Sequence, residues 1–405
     1  MKVGVLTRSA HPLHASGGLE RSVYSLALHL GRLGTDSVLV TRPGAGDVSP
    51  GFPGRVVEVR YRWLPAGAHG RVLDRTLNYP LFAARAGAVT AGLVRGSELD
   101  VVHAHGIAGL GYARRRRRDR SLRAPCVMNP HGMEEHKVGG LKRLALGPLR
   151  ALSRRAARLA DRVVATDESM RAEVEALLGV APGRVAVLPN GVDLEEIAAV
   201  TPREPRRVAE ERLPALAGAE PVLLSVGRLV EYKGFLDTAQ ALARLAARGA
   251  LGSRWAWVVV GEGPLGESLA AERSRGRLGG RLQLTGAVDD ATLHALYERA
   301  DLFVHATRFE GSSLVTLEAM AHRRAVVATR VGGIPDKVRE GRSGRLVDPG
   351  DVAALGRAIE SLCRDPERRR EMGHAGRLGV EADFTWPGVA RRTSELYREL
   401  LGERA

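Results

Sequence analysis

Cysteine is nearly absent: Cys126 and Cys363 are the only two in 405 residues. Far apart in sequence, they supply neither a disulfide framework nor a thiolate metal cage. No apolar run approaches the ~18 residues that a bilayer-spanning helix needs. The opening Met1-Lys2-Val3-Gly4-Val5-Leu6 has the pattern of a strand, not of a secretory leader. The expectation is a soluble, cytoplasmic chain that at most touches the inner face of the cell membrane. Aromatic residues make up only 4%, and lysine is scarce, with five of the 61 basic residues. What is present is globular: 44% hydrophobic and 26% charged residues exclude collagen-like, low-complexity and wholly disordered classes. The length predicts two or three domains.

The net charge of +15 is local. Residues 1–200 hold 29 Lys and Arg against 18 Asp and Glu, whereas residues 201–405 hold 32 against 28. Residues 114–171 alone carry 16 basic and 6 acidic side chains. Such a segment is either an ordinary solvated face of an arginine-rich chain or an attraction for an anionic membrane face or acceptor. Nucleic acid is disfavoured, because no aromatic side chains interleave with the Arg114–Arg118 run for base stacking. Leu141, Leu144, Leu149, Leu152 and Leu159 alternate with Lys142, Arg143, Arg150, Arg154, Arg155 and Arg158. That pattern fits a helix lying on an anionic bilayer and equally a helix packing its leucines into a core.

Short β-branched runs recur along the chain, separated by helical patterns. Val3–Thr7, Ser37–Thr41, Val56–Arg60, Val101–His103, Cys126–Asn129, Arg162–Thr166 and Val185–Leu188 read as strands of one series. Val222–Val226, Trp255–Val260, Leu282–Thr285, Leu302–Ala306, Ala325–Thr329 and Arg345–Val347 read as a second. Nearly continuous apolar strands flanked by helices mean parallel sheets buried on both faces. The class is α/β, with two Rossmann-like doubly wound domains. The two are expected to join near 191–220, where Thr201–Glu220 carries three prolines, dense charge and no strand. The boundaries expected are 1–200, 201–385 and a tail helix from Trp386, with Val389, Leu396 and Leu400 on one side.

Open parallel sheets bind ligands beyond the carboxyl ends of their strands. Four motifs sit there. Ser16-Gly17-Gly18-Leu19-Glu20 opens a helix after the first strand, where free N–H groups and the helix dipole favour an anion. Pro130-His131-Gly132 places a loop histidine at another strand end. Gly227-Arg228-Leu229-Val230-Glu231-Tyr232-Lys233-Gly234 presents two cations five residues apart, a planar fork and a point charge suited to a diphosphate. Glu310-Gly311-Ser312-Ser313-Leu314-Val315 leads into a helix carrying Glu318. One carboxylate can face a sugar and the other a ribose diol, with backbone amides between. His103 and His105 hint at a metal, but no third ligand follows at a recognisable spacing.

Together these motifs resemble glycosyltransferase family 4, retaining enzymes of the glycosyltransferase-B fold, and the likeness runs the length of the chain. Pro189-Asn190-Gly191-Val192-Asp193, Gly261-Glu262-Gly263-Pro264, Thr285-Gly286-Ala287-Val288-Asp289-Asp290 and Gly332-Gly333-Ile334-Pro335 appear in the family's order. The resemblance implies two facing domains with the active site between them, an acceptor-binding first domain, a donor-binding second domain, and a tail helix returning to the first. It implies that Arg228 and Lys233 hold the diphosphate of a nucleotide sugar. Glu318 would take the ribose hydroxyls and Val288 would lie beside the base. Glu310 and the backbone of Gly311, Ser312, Ser313, Leu314 and Val315 would contact sugar and phosphate. Gly17, Gly18, Asn190, Gly227 and Glu262 join the donor set, and His131 touches the reacting sugar. At Gly311-Ser312-Ser313-Leu314 the chain departs from the Gly-Phe-Gly-Leu of many members.

The expected reaction moves a sugar from a UDP- or GDP-linked donor to an acceptor hydroxyl with retention. The acceptor is expected to be lipid-linked or anionic. No metal or other cofactor is expected, since two cations and helix-start amides can stabilise the leaving diphosphate and the donor loops carry no Asp-x-Asp. A nucleotide-sugar epimerase of the same architecture and a non-catalytic phospho-ligand binding protein are the alternatives.

Overall fold

The structure, a computed structural model, describes residues 1–14, 17–44, 51–61, 74–131, 133–137, 140–274 and 278–402. Ser16 and Gly132 of the motifs above lie outside them. The chain folds as two compact units, Met1–Asn190 with Trp386–Ala405, and Gly191–Thr385.

The first unit is built on seven parallel strands: β1 (Lys2–Leu6), β2 (Asp36–Thr41), β3 (Arg55–Glu58), β4 (Val101–His105), β5 (Cys126–Asn129), β6 (Arg162–Ala165) and β7 (Val185–Val187). Their order is β3-β2-β1-β4-β5-β6-β7. The second unit has six, β8 (Val222–Val226), β9 (Ala256–Val260), β10 (Leu282–Gly286), β11 (Leu302–His305), β12 (Ala325–Thr329) and β13 (Gly344–Val347), ordered β10-β9-β8-β11-β12-β13. Each sheet grows in one direction from its first strand and then resumes on that strand's other side. The switch falls between β1 and β4 in one sheet and between β8 and β11 in the other. Connections diverge there, and the crevice they leave at the strands' carboxyl ends is where such sheets take ligands.

The helices that position the sites are α1 (Gly18–Arg32), α2 (Tyr79–Arg95), α3 (Leu110–Arg116), α4 (Gly147–Leu159), α5 (Leu194–Val200), α6 (Phe235–Ala247), α7 (Asp290–Arg299), α8 (Leu314–Ala321) and α9 (Trp386–Leu401). Their apolar faces are those the 3.6-residue period predicts. In α1, Val23 and Leu30 are buried, with Leu19 and Leu26 packed against the same cluster. In α6, Phe235, Ala239 and Leu242 are buried. In α9, Val389, Leu396 and Tyr397 are buried, and Leu396, Tyr397 and Leu400 join the core of the first unit. No helix among the described residues is long and apolar enough to cross a membrane.

One expected boundary moves. The break between units falls at Asn190/Gly191, ahead of 200/201, because α5 belongs to the second unit, where Ile197 joins the core. Residues 201–220 carry no strand. They form a helix, Pro205–Arg212, and a short turn, and bury Ala209 and Leu216. The buried Arg299 of α7 holds them, donating to the carbonyls of Leu216 and Ala219 at 2.7 Å each and to Glu210 at 3.1 Å. The leucines of α4 face inward: Leu149 is buried, and Leu152 and Leu159 pack against neighbouring clusters. Within α4 the leucines thus serve the core, whereas Leu144 ahead of it is 75% exposed.

Candidate functional site

In the first unit, Gly17 caps α1 with an extended backbone (φ −77°), so no left-handed conformation calls for glycine. A Cβ there would meet only the mobile end of Glu20. Gly17 and Gly18 are exposed and start a helix whose first N–H groups have no partner within the helix. His131 follows β5 with φ +55°, and its N–H donates to Asn129 Oδ1 at 3.0 Å. It does not stand alone. His105 Nδ1 lies 2.7 Å from His131 Nε2, and the two rings stack with centroids 5.0 Å apart. His103, on the same face of β4, stacks on His105 at 4.9 Å. His103 Nδ1 shares a 2.6 Å hydrogen bond with the Tyr397 hydroxyl of α9, and the Tyr79 hydroxyl donates to the carbonyl of His105 at 2.8 Å. Burial lowers all three histidines: His131 to about 4, His103 to about 3, and His105 well below its usual value, with the neighbouring rings adding to the last two. The column is therefore neutral at pH 7, and His131 can act there as a hydrogen-bonding imidazole. Asn190 ends the first unit and lines, with these three histidines and Trp386, a cavity of about 20 Å³.

In the second unit the switch between β8 and β11 brings Lys233 and Glu310 together, although 77 residues separate them in sequence. Lys233 Nζ donates to Glu310 Oε2 at 2.7 Å, and His305 Nε2 approaches the same oxygen at 3.0 Å. Burial raises the Glu310 carboxyl, but the His305 hydrogen bond and the Lys233 charge outweigh it and hold the group at about 2. Burial in turn lowers His305, so a neutral imidazole donates to a permanent carboxylate. Arg228 is exposed and rests on Tyr232 through a 2.8 Å bond to its hydroxyl. The two loops are stitched together where Arg308 N donates to Tyr232 O at 2.7 Å.

Two glycines are required by space. Gly234 has φ +70°, and a Cβ there would sit 1.8 Å from the carbonyl oxygen of Ala306. Gly332 has φ +52°, with a Cβ 2.0 Å from the carbonyl oxygen of Glu310. Close approach at these points sets the loops that carry Lys233 and Glu310. Gly311 follows Glu310, and Ser313 caps α8 with its Oγ 2.8 Å from Thr316 Oγ1. Ser312 Oγ is buried with no hydrogen-bond partner. Leu314 and Val315 form the first turn of α8, and Glu318 lies one turn further, half-buried, accepting from Tyr297 at 3.0 Å. Gly227 leaves β8 with φ +151°. Glu262 is exposed and reaches the backbone N–H of Ala287 at 3.4 Å, beside the half-buried Val288.

Comparison with known proteins gives the family and the fold. A family model described as Glycosyltransferase Family 4 matches residues 16–196, and one described as Glycosyl transferases group 1 matches residues 220–365. The D-inositol 3-phosphate glycosyltransferase 2 of Catenulispora acidiphila is 31% identical, over 98% of this chain and 94% of that protein. The chain belongs to glycosyltransferase family 4. Its fold is that of sucrose-phosphate synthase from Thermosynechococcus elongatus, with a TM-score of 0.80 and 23% identity over the whole of both chains. It is also that of Anabaena HepE in complex with UDP-glucose, with a TM-score of 0.72 and 19% identity over 98% of this chain and all of the other. This is the glycosyltransferase-B fold.

Sequence reasoning about this glycosyltransferase missed the supporting residues. His305 and Tyr297 hold Glu310 and Glu318 but belong to other elements, and no spacing announces them. His103 and His105, two apart on one strand, did carry a signal of shared direction, and their partner proves to be His131 together with Tyr397.

Proposed function

We propose that the chain transfers a sugar from a UDP- or GDP-linked donor to an acceptor hydroxyl with retention at the anomeric carbon and without a metal. The observation that carries this reading is the cluster of Lys233, Glu310 and His305 beside Arg228 at the carboxyl ends of β8 and β11. Without donor, Glu310 neutralises Lys233. An arriving diphosphate competes for the lysine, and Arg228 swings from Tyr232 to join it. The carboxylate so released accepts hydrogen bonds from sugar hydroxyls. Leaving-group charge then develops against the two cations and the N–H groups that start α8. Neutral His131 hydrogen-bonds the reacting sugar. Support for a UDP donor comes from the HepE fold, which holds UDP-glucose.

The test is thermal stabilisation and nucleotide release against UDP-, GDP- and ADP-sugars, with and without EDTA. One donor should stabilise the protein and be slowly hydrolysed despite EDTA. Epimerised donor without release would favour the epimerase, and tight binding with no turnover would favour the binding protein.

We further propose peripheral contact with an anionic membrane face. Arg114, Arg117, Arg118, Arg155 and Arg158 line one groove of about 420 Å³. They cluster at the C-terminal ends of α3 and α4, on the side of the sheet where Arg116 pairs with Asp161 just before β6. That is the end opposite His131. The protein should sediment with anionic liposomes at low salt and not with neutral ones; no difference between the two would remove this contact.

A further inference from the structure

Tyr297 of α7 is wholly buried, and its ring is clamped from several directions. The His322 ring lies parallel to it at 5.4 Å, and Phe303 and His294 pack at 5.8 and 6.2 Å. His322 is itself fixed at both nitrogens, by Glu298 Oε1 at 2.7 Å and His294 Nδ1 at 2.8 Å. The phenol therefore has one place to be. From there its hydroxyl reaches Glu318 Oε2 at 3.0 Å and, more weakly, the carbonyl of Val315 at 3.3 Å.

A half-buried glutamate on a helix has three torsions to settle. An immobile donor biases it toward one of its rotamers. Glu318 projects from the second turn of α8, the helix whose first turn follows the Glu310 loop. We propose that Tyr297 is a positioning residue of the nucleotide site: its hydroxyl fixes the Glu318 carboxylate in the orientation that takes the donor's ribose diol. This rests on the assignment of Glu318 to the ribose. Burial and the adjacent carboxylate both push the phenol well above its usual range, so the proton stays on Tyr297 and the hydrogen bond runs from phenol to carboxylate at every working pH.

The proposal separates Tyr297 from a residue that merely fills the core. Its effect must depend on whether the ligand has ribose hydroxyls. The experiment is calorimetric titration of the full chain with whichever of UDP, GDP and ADP binds most tightly, and with the 2′,3′-dideoxy form of that nucleotide. The wild type should prefer the ribo form by about tenfold, the scale of a charge-assisted hydrogen bond. Glu318→Ala should abolish the preference. Tyr297→Phe should weaken the ribo form about five- to tenfold while leaving the dideoxy form unchanged. Replacement of Tyr297 by 4-fluorophenylalanine fills the hydroxyl's volume without a donor and should behave alike, which guards against a folding defect of the phenylalanine variant. 4-Aminophenylalanine restores an N–H donor and should restore the preference. If Glu318→Ala loses the preference and both donor-less variants keep it, Tyr297 does not position the carboxylate. Equal weakening of the two ligands gives Tyr297 a packing role only and overturns the proposal. If Glu318→Ala keeps the preference, the ribose assignment itself fails and takes the proposal with it.

Discussion

Lys233 and Glu310 are each largely buried, with side chains 16% and 14% exposed, and each solves the other's desolvation problem. Removing one partner of such a pair costs about 3 kcal/mol, because a charge is left without its counter-ion. His305 softens that cost for Glu310 by keeping one hydrogen bond. Lys233→Ala should therefore lower stability by about 2–3 kcal/mol and turnover of the nucleotide sugar by at least ~100-fold, the scale of losing one contact to a developing anion. Arg228→Ala is the informative contrast. Its guanidinium is exposed and touches Tyr232, so the melting temperature should hardly move while turnover falls. A Lys233 variant that folds and keeps near-normal turnover would sink the diphosphate role. At this scale Arg228 with Lys233 and Glu310 with Glu318 were legible as local spacings, and the fold brings Lys233 onto Glu310. The sequence concealed His305 and Tyr297. Those are delivered by the β8–β11 adjacency and by α7 packing against α8, and neither relation is written in a local spacing.

The turn into α6 does two jobs with one residue. Gly234 holds φ +70° and lies so close to β11's exit that any Cβ would overlap the Ala306 carbonyl. Alanine at this position pays for a left-handed backbone and must also push two loops apart. Gly234→Ala should cost about 2 kcal/mol or more in urea unfolding. It should also weaken donor binding out of proportion, since Lys233 precedes the displaced turn. Alanine at Gly249 is the control. Its φ is +66°, but nothing lies within 4 Å of the added Cβ, so it carries the backbone strain without the clash and should leave donor binding intact. Equal losses of binding in the two variants would show that backbone strain, and not the close approach, governs the loop. Strands were legible to within a residue or two because buried parallel strands are unbroken apolar runs. β4 outran its predicted end by two residues, since histidines do not look apolar. The packing of residues 201–220 was not legible, because their charges face solvent while Ala209, Leu216 and the carbonyls bound by Arg299 face in.

Across the whole chain, the last helix is spent on the first unit. Tyr397 enters that core and shares a hydrogen bond with His103, at the far end of a histidine column that terminates in His131. Docking of α9 and the state of His131 are therefore parts of one packed structure, and pH should report on it. The three histidines have native values depressed by burial, to about 3 for His103, about 4 for His131 and well below 6.5 for His105. In the unfolded chain each titrates near 6.5. Above that pH both states are neutral and stability is full. Below it the unfolded chain takes up protons that the native column refuses, so stability falls as the pH drops from 6.5 toward 4. Each histidine contributes a slope of about 1.4 kcal/mol per pH unit. Carboxylates cannot mimic this between pH 6.5 and 5, because they titrate lower; Glu310, held at about 2, loses its contribution only in more acidic solution. Denaturant unfolding of the first unit, followed at pH 7 and pH 5, should show a drop of several kcal/mol. His103→Asn should recover part of it, since one proton-accepting site is gone. A flat response between those two values would mean that the column is solvated and charges in place, and that Tyr397 does not seal it.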